Sequence, residues 1–447
     1  MNATSRRGSI LIGVLWCLVI LSVVVVGVLH TARIDLVLAR HEGDVVQAHY
    51  LALAGIEKAK ALLAQDARDR KRSARAHSSE LQDSPANFRD VALGRGRFSV
   101  LRHAGPGSAG GWAHGVSDEE GRLNVNVAAT NELLRLPGMT ADAAAGIVDW
   151  RDADHAVTPG GAEADHYSSL SPPYVPRDGP FQSLRELLMV RGVTPAMLFG
   201  SERGVDRHSG GSGNPDLRTA GWEDVLTTVS AVRNVNAAGQ DRVNIQTADE
   251  KTLGGVAGIS PEIAKAIVAR RGQNQFQSIL DLLDVTPAPA SGNVDVNALA
   301  RGRGRGNAGN DANPGGPRLV DEDLLQRIAD DITTVDDETL KGPINVNAAG
   351  VDVLACLPGI DRPLAQAIVN FRSSSGPIPN VAALLRVPGM NRQLLGPILP
   401  RITTRSETYR ILAEGVVPGR ETRRRIEAIV RIGTPDVTTL AYREDDL

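Results

Sequence analysis

From Ile10 to Leu29 the chain runs for twenty residues without a charged side chain, led in by Arg6-Arg7-Gly8-Ser9. At about 1.5 Å rise per residue, that run makes a helix long enough for the roughly 30 Å hydrocarbon core of a bilayer. Beyond it the pattern becomes amphipathic: Arg33, Asp35, Arg40, Glu42 and Asp44 alternate with Ile34, Leu36, Val37, Val45, Val46, Leu51, Leu53 and Ile56. This spacing predicts one helix that continues out of the apolar span and lays a face on a folded body, with no proline before Pro85 to stop it.

The body then changes period. Phe98–His103 and Trp112–Val116 read as strands, and Tyr409–Val417 with Arg425–Arg431 reads as a closing β-hairpin around Pro418-Gly419. An antiparallel sheet needs a cover for its apolar face, and the outer half of the stalk helix supplies one.

Between these strands one pattern recurs three times. Asn124-Val-Asn-Val-Ala-Ala129 leads to Leu136-Pro-Gly-Met139 and Ile147-Val148. Val243-Asn-Ile-Gln-Thr-Ala248 leads to Val256-Ala-Gly-Ile259 and Ala266-Ile-Val268. Ile344-Asn-Val-Asn-Ala-Ala349 leads to Leu357-Pro-Gly-Ile360 and Ala367-Ile-Val369. Each copy reads as a helical hairpin with glycine in the turn and a cap two residues later, at Thr140, Ser260 and Asp361. A second hairpin-like half follows each, through Phe181–Thr194, Phe276–Leu283 and Val381–Asn391.

These hairpins resemble the helix-hairpin-helix family, many of whose members hold duplex phosphates on a Gly-hydrophobic-Gly turn. Here Thr140, Thr194, Ser260, Asp361 and Asn391 replace the second glycine, and Asp361 sets a carboxylate where a phosphate would sit. Scaffold use is expected over nucleic-acid binding. A formal charge of −3, from 49 basic and 52 acidic residues, and an aromatic content of 3% point the same way. The run Arg301–Asn310, rich in Arg and Gly, reads as a linker, with RNA contact as the alternative. Cys17 and Cys356 lie too far apart in character to suggest a disulfide.

Candidate chemistry is confined to an acidic loop, Asp149-Trp-Arg-Asp-Ala-Asp154 followed by Gly160–Tyr167. Asp152 and Asp154 can converge on one ion, with Glu163 and Asp165 closing the site from the far side. Oxygen donors on a long connection suit Ca²⁺ better than Zn²⁺, the alternative being a solvated loop partly neutralised by Arg151. His-Glu-x-x-His, a Walker loop, Cys-x-x-Cys pairs and a nucleophile elbow are missing from the sequence, so no enzyme activity is expected.

In combination, Arg6-Arg7-Gly8 before Ser9–Trp16, Asp118–Asn126, Ile147–Asp154 with Gly161–Glu163 and Tyr167, and Pro180–Gly192 resemble the K-type minor pseudopilins of the bacterial type II secretion system, the general secretion pathway protein K family. The resemblance implies an α+β fold: a pilin-like long N-terminal helix packed on an antiparallel sheet, interrupted by inserted all-helical helix-hairpin-helix modules. It implies cleavage between Gly8 and Ser9 by prepilin peptidase, methylation of the new N-terminus, and a single-pass inner-membrane protein with a cytoplasmic N-terminus and a periplasmic body. Its implied partners are the I-type and J-type minor pseudopilins, the inner-membrane platform and the lipid bilayer, without nucleic acid. It also carries Ca²⁺ onto Asp152, Asp154, Glu163 and Asp165. Gly13 stands at mature position five, where major pilins carry Glu, and this fits a subunit that caps the tip and helps initiate assembly.

The expected organisation is a leader (1–8), transmembrane and stalk helix (9–66), first part of the pilin-like domain (67–123), first hairpin module with the acidic loop (124–200), linker (201–242), second module (243–300), Gly-rich loop and connecting helix (301–343), third module (344–400) and C-terminal strands (401–447). The third module is additional to the family's usual two-part insertion, which leaves a related type IV pilus-like machine as a further alternative. A membrane-anchored protein that binds or takes up DNA through its hairpins is the alternative function.

Overall fold

The computed structural model describes residues 7–75, 79–103, 112–200, 221–287, 318–419, 422–433 and 436–444. One helix, Arg7–Ser73, carries the chain from the apolar run into the body. Leu11 to Leu29 lie bare on its surface, and it is the one helix among the described residues long and apolar enough to cross a membrane. Such a helix is compatible with a single membrane span or a signal-like segment.

The helix changes character where it meets the sheet. Ala48, Ala52, Ile56, Ala59 and Leu63 are buried at helical spacing, and the run of alanines lets the backbone come close. The sheet beneath is antiparallel, in the order Val91–Leu93, Gly96–His103, Thr408–Val417, Thr422–Ile432, Val437–Arg443. Trp112–His114 pairs with the second of these, and Ser117–Asp118 with the third. The expected strands and C-terminal hairpin are therefore present, with Val437–Arg443 as an added edge strand. Gly415 sits where a Cβ would collide with the Ala48 carbonyl, and a Cβ on Gly55 would lie 3.0 Å from that of Ala413. Full burial of Ile56 and Leu63 contributes about 1.5–3 kcal/mol each.

The central strand Thr408–Val417 pairs with segments from both ends of the chain, so the helical insertion begins and ends at the sheet. Each of the three modules closes on itself with a short parallel pairing: Leu123 with Leu226, Val243 with Ile332, and Ile344 with Ile402. The second module thus reaches past residue 300, and the expected connecting helix, Glu322–Ile328, packs against Ile279–Asp284 within it. The Arg301–Asn310 run lies outside the described residues. The modules share one hydrophobic core, from Leu123 to Ile402, separate from the core under the stalk helix.

Candidate metal centre and helical hairpins

The same polar parts recur in every module. The Asn124, Asn244 and Asn345 side chains accept from the amides of Asn126, Gln246 and Asn347. Those three amide side chains then donate to the carbonyls of Phe181, Phe276 and Ile378. An arginine at the end of each long helix, Arg151, Arg271 or Arg372, donates to carbonyls of the opening segment. These contacts satisfy buried backbone groups that the short strands leave over.

The residues that replace the second turn glycine are helix caps. Thr140, Thr194, Ser260, Asp361 and Asn391 accept from the amides three residues on. Two of the first-hairpin turns also face protein. Gly258, at φ 104°, sits under Leu324 and Ile328, and Gly359, at φ 75°, under Leu394. Arg135 of the first module donates to the Leu357 carbonyl at 2.7 Å in the third. Arg392 pairs with Asp284 at 2.9 Å, tying the third module to the second. By contrast, a Cβ on Gly138 would meet open space.

The acidic loop hangs from the helix Ala141–Arg151 and is supported from below by an aromatic cluster. Trp150 meets Tyr167 edge-on at 5.2 Å and stacks on Phe181 at 6.3 Å. Arg191 donates to the Gly161 carbonyl at 2.8 Å, and the buried Asp149 accepts from the Thr158 amide, which folds the loop back. Asp152 caps the end of the first helix and Glu163 starts the next, Ala164–Ser168.

This folding brings together Asp152, Asp154 and Glu163, and around the same Glu163 also His155 and Asp178, with donor atoms of each group within 4.8 Å of one another. Asp165 is exposed in the first turn of the next helix and belongs to neither group. His155 stands in the loop Asp149–Tyr167, but Asp178 lies on a separate turn that sequence spacing did not connect with it.

The donor set is short of positive charge. Asp152 Oδ1, both Glu163 oxygens and Asp178 Oδ1 are sealed from solvent without a hydrogen-bond partner. Burial, then the neighbouring carboxylates of Asp149 and Asp152, pushes the Glu163 carboxyl above its ordinary range. Burial followed by Asp154 does the same to Asp152. Orphaned carboxylate oxygens in two groups that share Glu163 fit a cation, and the described residues of either group can hold one.

Residues 114–199 match the family model "Type II secretion system (T2SS), protein K", and 238–287 and 341–403 match the helix-hairpin-helix motif model. Among curated relatives are the "Endonuclease/exonuclease/phosphatase family domain-containing protein 1" of Mus musculus, 29% identical over 160 residues, and of Bos taurus, 30% identical over 171 residues. Each alignment covers 36% of this chain, and the chain spans only 27% and 25% of those relatives. A solved structure, the GspK-GspI-GspJ complex of the enterotoxigenic Escherichia coli Type 2 Secretion System, aligns at TM-score 0.47 with 12% identity, over 92% of this chain and 99% of the other. The expectation of no enzyme activity is corrected by these findings: part of the chain is similar to proteins named for nuclease and phosphatase domains, and its loop has a group of residues able to hold a metal. Asp152, Asp154 and Glu163 are expected from their spacing along the loop, whereas His155 and Asp178 join them only in the fold, Asp178 from a separate turn.

Proposed function

The chain is a pseudopilin-like protein related to the type II secretion system, and we propose that it acts as a minor subunit that caps the tip of a pseudopilus and helps start its assembly for protein export. Gly13 carries this reading. An acid within the apolar run would need a partner in hydrocarbon, and a last subunit has no neighbour above to supply one. The helical modules on the pilin-like body add bulk that obstructs further addition. In this reading prepilin peptidase cuts between Gly8 and Ser9, the helix stays in the inner membrane with its N-terminus cytoplasmic and the body periplasmic, and the partners are I-type and J-type minor pseudopilins. Ca²⁺ in the acidic loop holds the first module in shape.

Mass spectrometry of the chain purified from native membranes tests the processing. A chain starting at Ser9 is expected. An intact leader in cells with active peptidase, or a start beyond Leu29, overturns it. Cross-linking in the same membranes is expected to recover the I-type and J-type subunits.

A second reading has its own support. The hairpin modules match the helix-hairpin-helix model directly, which favours contact with duplex DNA more than the comparisons favour tip capping in particular. The turn at Gly138 is open, although Asp142 lies in the first turn of the helix that follows. Binding of full-length chain in detergent to duplex DNA between 50 and 200 mM salt tests it: a Lys/Arg-phosphate interface loses affinity steeply with salt. A cleavage assay with added Mg²⁺ belongs in the same experiment.

A further inference from the structure

Where the stalk helix ends, a cleft of about 60 Å³ opens between its last turn, the Asn236–Gly239 turn and the segment Arg405–Glu407. Five cations line it, Arg70, Lys71, Arg75, Arg233 and Arg405, against one carboxylate, Glu407. A water needs about 10–15 Å³ of such space, so the cleft has room for a small polyatomic ion.

The carboxylates nearby do not balance this charge. Arg70 pairs with Asp66 at 2.8 Å and Arg233 with Glu407 at 2.9 Å. Asp330 Oδ1 is shared between Arg405 and Arg242, at 2.5 and 3.0 Å. Asp331 is turned to the Asn236 side chain. Lys71 and Arg75 make no ion pair among the described residues. Arg405 is 8% exposed, and its Nη1 is sealed from water without a partner. Burial, and then the charge of Arg242, pushes the Arg405 guanidinium down to about 10. The backbone also makes room: Gly239, at φ 77°, lies where a Cβ would come within 3.0 Å of Lys71 Nζ.

Crowded cations of this kind repel one another unless an anion sits among them. We propose that the cleft binds a small oxyanion, a phosphate or a carboxylate group, between Arg70, Lys71, Arg75 and Arg405. Arginine forks suit the paired oxygens of either group, and Lys71 adds a point charge from the rim. The site is separate from the acidic loop and stands whether or not the chain caps a fibre.

The test is calorimetric titration of the full chain in detergent with inorganic phosphate and, separately, acetate, at constant ionic strength set with chloride. Saturable phosphate binding is expected, weakened at least tenfold by Lys71→Met with Arg75→Gln. Both side chains are exposed, so the fold stays intact. Acetate binding as tightly as phosphate assigns the site to a carboxylate, for example on a neighbouring subunit; phosphate binding more tightly assigns it to phosphate. Failure of both anions to bind saturably, or equal affinity in the double variant, overturns the proposal.

Discussion

Glu119 and Arg410 form an ion pair at 2.9 Å, with Glu119 fully buried and Arg410 nearly so, where the helical modules join the sheet. Arg410 belongs to the central strand, and Glu119 lies just beyond the short strand that pairs with it. Arg122 adds a contact to Glu119 at 3.2 Å, and Thr227 of the first module donates its hydroxyl to it. The insertion is thus fastened to the sheet by buried charge, and removal of one partner strands the other. Glu119→Gln is expected to cost about 3–5 kcal/mol, read as a lower urea midpoint of the full chain in detergent. A loss below about 1 kcal/mol would show that the pair is not sealed.

The same turn makes stability depend on pH in two opposed ways. Burial alone would raise the Glu119 carboxyl, but Arg122 and Arg410 hold it at about 2, against 4.5 in the unfolded chain. Its contribution is complete above pH 4.5 and is lost as pH falls toward 2. Asp118 behaves in the reverse sense: burial pushes it up to about 6 from 3.8, despite the Ser406 hydroxyl that donates to it. The folded state then holds more protons between pH 4 and 6, so this group costs stability as pH rises through that window. Asp118→Asn is accordingly expected to gain on the wild type from pH 4 to 6.5 in urea midpoints; a constant difference would contradict the assignment.

Of the four residues expected as ligands, Asp152, Asp154 and Glu163 meet in the fold, while Asp165 stands apart and Asp178 joins Glu163 from another turn. Adding Ca²⁺ to metal-free chain is expected to raise its melting temperature, since a ligand at a hundred times its Kd contributes about 2.7 kcal/mol. Asp178→Asn and Glu163→Gln are expected to weaken binding at least tenfold. Asp165→Asn, altering an exposed residue of neither group, is expected to leave it unchanged. Loss of binding in Asp165→Asn with retention in Asp178→Asn would restore the set read from spacing.

Local periodicity made most of the fold legible. The apolar run, the alternating strands and the repeated Asn-Val-Asn motif each act over a few residues, and each appears as expected. The caps Thr140, Ser260 and Asp361 were readable for the same reason. What was not readable depends on partners far along the chain. Asp178 joins the loop because Trp150, Tyr174 and Phe181 pack together, and the boundary of the second module depends on Val243 meeting Ile332 across the Gly-rich run. Arg135 likewise meets the Ala355, Leu357 and Ile360 carbonyls of the third module, a contact that no local pattern encodes.

The helix and sheet also meet at one close approach. A Gly415→Val side chain has no space beside the Ala48 carbonyl, so helix and strand must separate locally. Overpacking of this kind costs about 1–3 kcal/mol. Limited proteolysis of the full chain in detergent is expected to cut faster between residues 40 and 60. Unchanged cleavage would mean that the stalk helix is held mainly by its upper contacts at Ala59 and Leu63.

Arg135 donates to the Ala355, Leu357 and Ile360 carbonyls, and so the turn of the third module's first hairpin is covered by the first module. A hydrogen bond to a charged group contributes about 1.5–3 kcal/mol, and three carbonyls share this one guanidinium. Arg135→Met keeps much of the side-chain volume while removing the donors. Hydrogen exchange by mass spectrometry is then expected to quicken in 351–362 and to stay unchanged in the second module's hairpin at 250–271, which Arg135 does not touch. If this covered turn is also what limits contact with duplex DNA, the same variant gains salt-dependent affinity; faster exchange without such a gain places the contact elsewhere in the modules.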